Sequence, residues 1–88
     1  MKYILFALPN ATISTVRIFD DITGHNEVKA EVQSGKPGLE VVSAGQIWIN
    51  GNGLGVTCIH TSVSLGLSYD EATSDMAAAT IKNLLKSR

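Results

Sequence analysis

The chain contains a single cysteine, Cys58, among 88 residues. No intrachain disulfide can form, and no Cys/His set has the spacing of a structural zinc site, so no metal is expected. Nothing staples the chain, and a domain this small buries a modest share of its surface. Long apolar runs are missing too. The run Tyr3–Leu8 ends at Pro9-Asn10, well short of the roughly 20 residues a bilayer-crossing helix needs. No convincing small-residue cleavage site follows it, so it reads as a buried first strand rather than a signal peptide. The lone thiol and the missing signal predict a cytoplasmic protein with no membrane contact. Neither sign of charge is in excess: seven basic and eight acidic side chains leave a net charge of −1. The basic residues are scattered, apart from a loose group at Lys82, Lys86 and Arg88. A phosphate backbone is met by a dense positive patch, so direct nucleic-acid binding is not expected.

What is present is apolar content, 44% of the residues. That is rich for a small monomer and predicts self-association, a dimer above all, which buries surface the monomer leaves open. The last third of the chain reads as one helix over residues 69–87. Ser68 and Glu71 have the spacing of a capping box. Asp70, Glu71 and Asp75 near the start and Lys82, Lys86 and Arg88 near the end complement the helix dipole. The expected apolar stripe is Ala72, Met76, Ala79, Thr80, Ile81, Leu84 and Leu85.

Before that helix, residues 2–67 read as strand and turn. Lys2–Leu8 predicts a central strand buried on both faces. Thr12–Asp20 is rich in β-branched residues and predicts a second strand. Glu27–Gln33 alternates Val28, Ala30 and Val32 with charged and amide side chains, which predicts a half-wet strand joined to the second by a turn over Asp21–Asn26. Leu39–Ala44 and Gln46–Asn50 are strand-like, with Gly45 between them as a candidate bulge or bend. Asn50-Gly51-Asn52-Gly53 signals a hairpin, with Leu54–Thr61 as the return strand. Ser62–Leu67 extends that strand or forms a loop into the helix. The chain is thus expected to be one α+β domain over residues 1–88, with four to six antiparallel strands packed by one C-terminal helix.

Motifs for chemistry are sparse. The glycine-rich stretch over residues 50–55 lacks the Lys-Ser/Thr of a P-loop and the third glycine of a dinucleotide fingerprint, so no cofactor is implied. Asp20 and Asp21 are adjacent and do not make a paired acid/base set. Cys58 and His60 share a strand face, and with Thr61 and Ser62 they form a polar cluster that could line a ligand site. The segment His60-Thr61-Ser62-Val63-Ser64-Leu65 resembles the His-Thr-Ser-Ala-Ser-Leu segment of secondary thiamine-phosphate synthases, in which a helix also follows. That resemblance would make His60 catalytic. The family's longer barrel-like domain and its later arginine motif have no counterpart here, so the family is not assigned.

Trp48 is the sole tryptophan. If Ile47 and Ile49 face the core, Trp48 lies opposite them with Gln46 and Asn50, a good position for an interface anchor. Two function classes follow. The first is a non-catalytic protein-binding module, of which small phage or mobile-element inhibitors of larger bacterial complexes, the anti-CRISPR type, are one instance. Its contact residues would be Trp48, Gln46 and Asn50. The second is a small-ligand-binding protein or minor enzyme with a site at His60, Thr61, Ser62 and Cys58.

Overall fold

The computed structural model describes residues 1–10, 14–51 and 55–86. Among them, four strands form one antiparallel sheet: β1 (Lys2–Ala7), β2 (Ser14–Phe19), β3 (Glu40–Asn50) and β4 (Gly55–His60), in the order β2-β1-β3-β4. The described residues also form two helices, α1 (His25–Gly35) and α2 (Glu71–Lys86). The α+β class, the antiparallel sheet and the C-terminal helix are as the sequence predicts.

Strand β1 organises the molecule. Its side chains alternate across the sheet, and both sets are buried. Tyr3 and Leu5 pack with Ile47, Cys58, Ala77 and Ile81 beneath α2. Ile4 and Phe6 pack with Val28, Leu39 and Ala44 beneath α1. The helices therefore cover opposite faces. An apolar run with no polar alternation is what a strand walled on both sides requires.

The second helix replaces the expected strand over Glu27–Gln33. Val28 and Val32 are four apart, one helical turn, and His25 lies three residues before Val28. Those three meet the sheet, with His25 and Val28 buried and Val32 packed against the cluster around Phe6. Glu27, Lys29, Glu31 and Gln33 are good helix formers and lie outward or at the rim. Alternation over seven residues fits both periods; the better helix propensity belongs to the outcome found. The turn expected over Asp21–Asn26 thus leads into a helix, and β2 pairs with β1 instead, Tyr3 against Ile18 and Leu5 against Val16. The expected residues 12 and 13 of β2 lie outside the described residues. An exposed ion pair, Arg17 Nη2 to Glu31 Oε1 at 3.1 Å, ties β2 to α1.

Leu39–Asn50 is one strand from Glu40, not two. The irregularity lies at Val42, which is skipped between the pairs Leu5–Ser43 and Phe6–Val41. Gly45 serves a close approach: a Cβ there would stand 1.8 Å from the Ile59 carbonyl oxygen and 2.9 Å from the Thr61 nitrogen. The β3–β4 hairpin is as expected, with Asn50 opposite Gly55 and Gly51 at a φ of 60°; residues 52–54 of its tip lie outside the described residues. Ser62–Leu67 is a loop closed by an isolated bridge between those two residues.

Helix α2 begins at Asp70 rather than through the Ser68–Glu71 box. The Asp70 carbonyl accepts from the Ser74 N–H at 2.9 Å, and its carboxylate accepts from the Thr73 hydroxyl. That hydroxyl, with the Thr73 and Ala72 amides, holds the Asp70 carboxyl below the usual carboxylate value. The buried stripe is also rotated from expectation. Ser74, Ala77 and Ile81 are buried and Ala78, Leu84 and Leu85 half-buried, while Ala72, Met76 and Ala79 are exposed. A serine sits on the buried face because it has a partner there. Ser74 Oγ accepts from the His60 N–H at 2.8 Å and donates to the Asp70 carbonyl at 2.7 Å. The helix thereby covers an amide of β4, which is an edge strand of the sheet.

Candidate functional site

The four residues of the expected ligand cluster do not meet. Cys58 lies in the core beneath α2, where burial pushes its thiol up to about 11. His60 is buried on the same face, and its Nδ1 lies 2.7 Å from Ser43 Oγ. Ser43 Oγ in turn lies 2.7 Å from the Tyr3 hydroxyl. Burial pushes the Tyr3 phenol to about 12, opposed by its Ser43 bond and reinforced by Cys58. This chain of hydroxyls satisfies polar groups inside a packed interior, where an unpaired one is costly. Among the described residues, no buried side-chain nitrogen or oxygen lacks a partner.

Ser62 is turned to the other helix. Its Oγ lies 2.8 Å from His25 Nδ1, and His25 Nε2 lies 3.1 Å from the Gly45 carbonyl oxygen. A carbonyl only accepts, so Nε2 carries the proton. Nδ1 of the neutral ring then accepts from the Ser62 hydroxyl. Burial is the main cause that lowers the His25 pKa; the Gly45 carbonyl opposes it and Lys2 adds to it. Phe19 meets the ring edge to face at 5.6 Å. Sequence reasoning placed His25 in a turn. The signal that could have found it is the i, i+3, i+7 spacing of His25, Val28 and Val32.

Around this pair opens a cleft of about 430 Å³, lined by Lys2, Gly24, His25, Gln46, Thr61, Ser62, Val63 and Ser64. Its polar groups are one ammonium, one carboxamide, three hydroxyls and the imidazole, with no carboxylate among them. Lys2 Nζ donates to the Thr23 carbonyl at 3.0 Å, and an ammonium has two further protons to give. Among the described residues, no group of three His, Cys, Asp or Glu side chains is placed to hold a metal ion.

Beside the cleft lies the face that carries Trp48. On β3, Gln46, Trp48 and Asn50 point to the α1 side of the sheet, the side opposite Ile47. Helix α1 packs on β1 and β3, yet Trp48 stays 47% exposed. Ile59 is opposite Gln46 on β4, diagonal to Trp48 and 36% exposed. Its strand alternates buried Cys58 and His60 with outward Thr57 and Ile59, so an isoleucine stands where a polar residue is ordinary. Val63, at the cleft rim, is 99% exposed. No described helix is long and apolar enough to cross a membrane.

No family model matches the chain, and neither the curated proteins nor the solved structures include a match to it.

Proposed function

We propose that the chain is a non-catalytic protein-binding module that docks through the sheet face bearing Trp48, with Gln46 and Asn50 on the same face. The observation that supports this is a half-exposed tryptophan beside an outward isoleucine on a rigid sheet. An aromatic held on a strand loses little conformational freedom on binding, and such residues dominate interface energetics. The small inhibitors of larger bacterial complexes encoded by phages and mobile elements, the anti-CRISPR type among them, are one instance of this class. The polar residues beneath α2 suit the same reading, because Ser43, His60 and Ser74 bond to one another or to backbone.

The test compares Trp48→Ala and His60→Ala with the wild type in affinity capture from extract of the source cells. Trp48→Ala is expected to weaken capture of a specific partner by about 2 kcal/mol or more, with its melting temperature close to that of the wild type. A folded His60→Ala variant is expected to capture normally. Undiminished capture by Trp48→Ala, or equal loss of capture and melting temperature, would overturn the reading.

A further inference from the structure

The cleft and the Trp48 face form one surface. Lys2 pairs with Gln46 across β1 and β3, and Gln46 pairs with Ile59 across β3 and β4. These three side chains form a row on the α1 side of the sheet, and Trp48 follows Gln46 two residues along β3 on that same side. The row thus runs from an ammonium through a carboxamide to an isoleucine, with the indole next to it. Neighbouring strands stand about 4.8 Å apart, and residues two apart on a strand stand about 7 Å apart. The backbone positions of Lys2 and Trp48 are therefore roughly 8–9 Å apart.

The cleft lining carries a single charge, with acids just beyond it: Lys2 favours the charged form of the Asp20 carboxylate, and the Glu27 carboxylate stands beside Gly24. The cleft lining holds the Lys2 ammonium and no acidic side chain. The acids on the β2–α1 connection are held in place by their own partners but keep their charge. Asp20 Oδ1 accepts from the Ile22 and Thr23 amides at 3.1 and 2.8 Å, and Asp21 pairs with the terminal amine at 3.3 Å. The Ser64 hydroxyl can donate alongside Lys2 and the Gln46 amide, while the Thr61 hydroxyl donates to the Leu67 carbonyl at 3.4 Å. His25 and Ser62 are spent on each other and on Gly45, which fixes the cleft floor without offering a charge.

We infer that this surface binds an extended acidic segment of a protein partner. A carboxylate of the segment enters the cleft against Lys2 and Gln46, and a large apolar side chain two or three residues away packs on Trp48 and Ile59. This rests on the protein-binding reading and adds the chemistry of the partner. In an extended peptide, side chains two residues apart share a face at about 7 Å, somewhat less than the roughly 8–9 Å between the Lys2 and Trp48 backbone positions. Charge complementarity sets the register of the segment, and the apolar contact supplies most of the affinity.

The test is selection of random linear peptides displayed on phage against the immobilised full chain. Binding of the selected peptides is then measured by the fluorescence anisotropy of a dye attached to each peptide. The expected result is enrichment of an Asp or Glu two or three residues from a Leu, Ile, Phe or Trp. Lys2→Met keeps the aliphatic stem and is expected to weaken those peptides roughly tenfold, the loss of one charge-assisted contact. Lys2→Glu, selected afresh, is expected to enrich Lys or Arg at the position that held the acid. Melting curves establish that each variant is folded. Peptides enriched without an acid but lost in Trp48→Ala would overturn this inference and leave the protein-binding reading standing. Peptides indifferent to Trp48→Ala, or no enrichment at all, would overturn both. Self-association that disappears in Trp48→Ala, read by sedimentation, would give the surface to a second copy and overturn the acidic-segment inference.

Discussion

The Ser62 hydroxyl donates to Nδ1 of His25 across 37 residues of sequence, at 2.8 Å. The bond joins the loop after β4 to the first residue of α1 and closes the floor of the cleft. Its energetic weight comes from burial, since His25 is 6% and Ser62 3% exposed. Removing one partner deprives the other of this bond in a largely buried position.

Ser62→Ala is therefore expected to cost about 1–3 kcal/mol, read as a lower midpoint in urea unfolding. Thr61→Ala removes only a long side-chain contact from a half-buried residue and is expected to cost less. Equal stability of Ser62→Ala and the wild type would remove the pair from the structural framework.

Stability should depend on pH through the same ring. The folded-state pKa of His25 is lowered from the ordinary value of 6.5, so the unfolded chain binds the proton more readily. Stability then rises with pH across this range. The contribution is fully present above 6.5 and is lost as pH falls from there through the lower folded-state value. Asp20 and Asp70, both lowered from 3.8, lose their contributions only in more acid solution. A series of urea midpoints from about pH 8 to about pH 5 should slope downward, and less steeply in His25→Phe. Identical slopes in the two proteins would show that His25 is not the titrating group.

Two glycines should respond differently to alanine. Gly45→Ala drives a Cβ into the Ile59 carbonyl oxygen and the Thr61 nitrogen, backbone atoms at and just beyond the end of the paired strand. The cost is expected at or beyond the upper end of the roughly 1–3 kcal/mol typical of overpacking, with part of the β3–β4 pairing lost. Gly66 has a φ of 69° and open space around it. Gly66→Ala pays only left-handed strain, about 1–2 kcal/mol. Thermal melting of both variants checks the order, and a Gly45→Ala protein as stable as Gly66→Ala would contradict the close approach.

Cys58 should be inert in the folded protein. Its thiol is buried and pushed up to about 11, so little thiolate exists near neutral pH and reagent has no access. Ellman's reagent at about pH 8 is expected to react slowly with the native chain and with one thiol per chain in denaturant. Rapid native reaction would place Cys58 at the surface.

Part of this architecture is legible along the chain because it depends on neighbours in sequence. The unbroken apolar run of β1 announces a strand covered twice, since a half-wet strand would alternate. The Asn50-Gly51 corner announces a hairpin, because these residues accept the backbone a tight turn needs. The terminal helix announces itself by propensity and by charge at its two ends. Its rotation does not, because the buried Ser74 accepts from the amide of His60, fourteen residues away. Trp48 opposite Ile47 follows from strand alternation alone.

What only the tertiary structure decided is the environment of each polar residue and the identity of the segment around Val28. Its apolar positions satisfy a period of two and a helical spacing of three and four alike, and the second core cluster on the far face of β1 selects the helix. The same packing separates Cys58 and His60 from Ser62, sending one pair beneath α2 and giving the serine to His25. Hydrogen bonds between distant residues depend on which faces meet once the sheet is covered, and that is a property of the folded chain rather than of any local pattern.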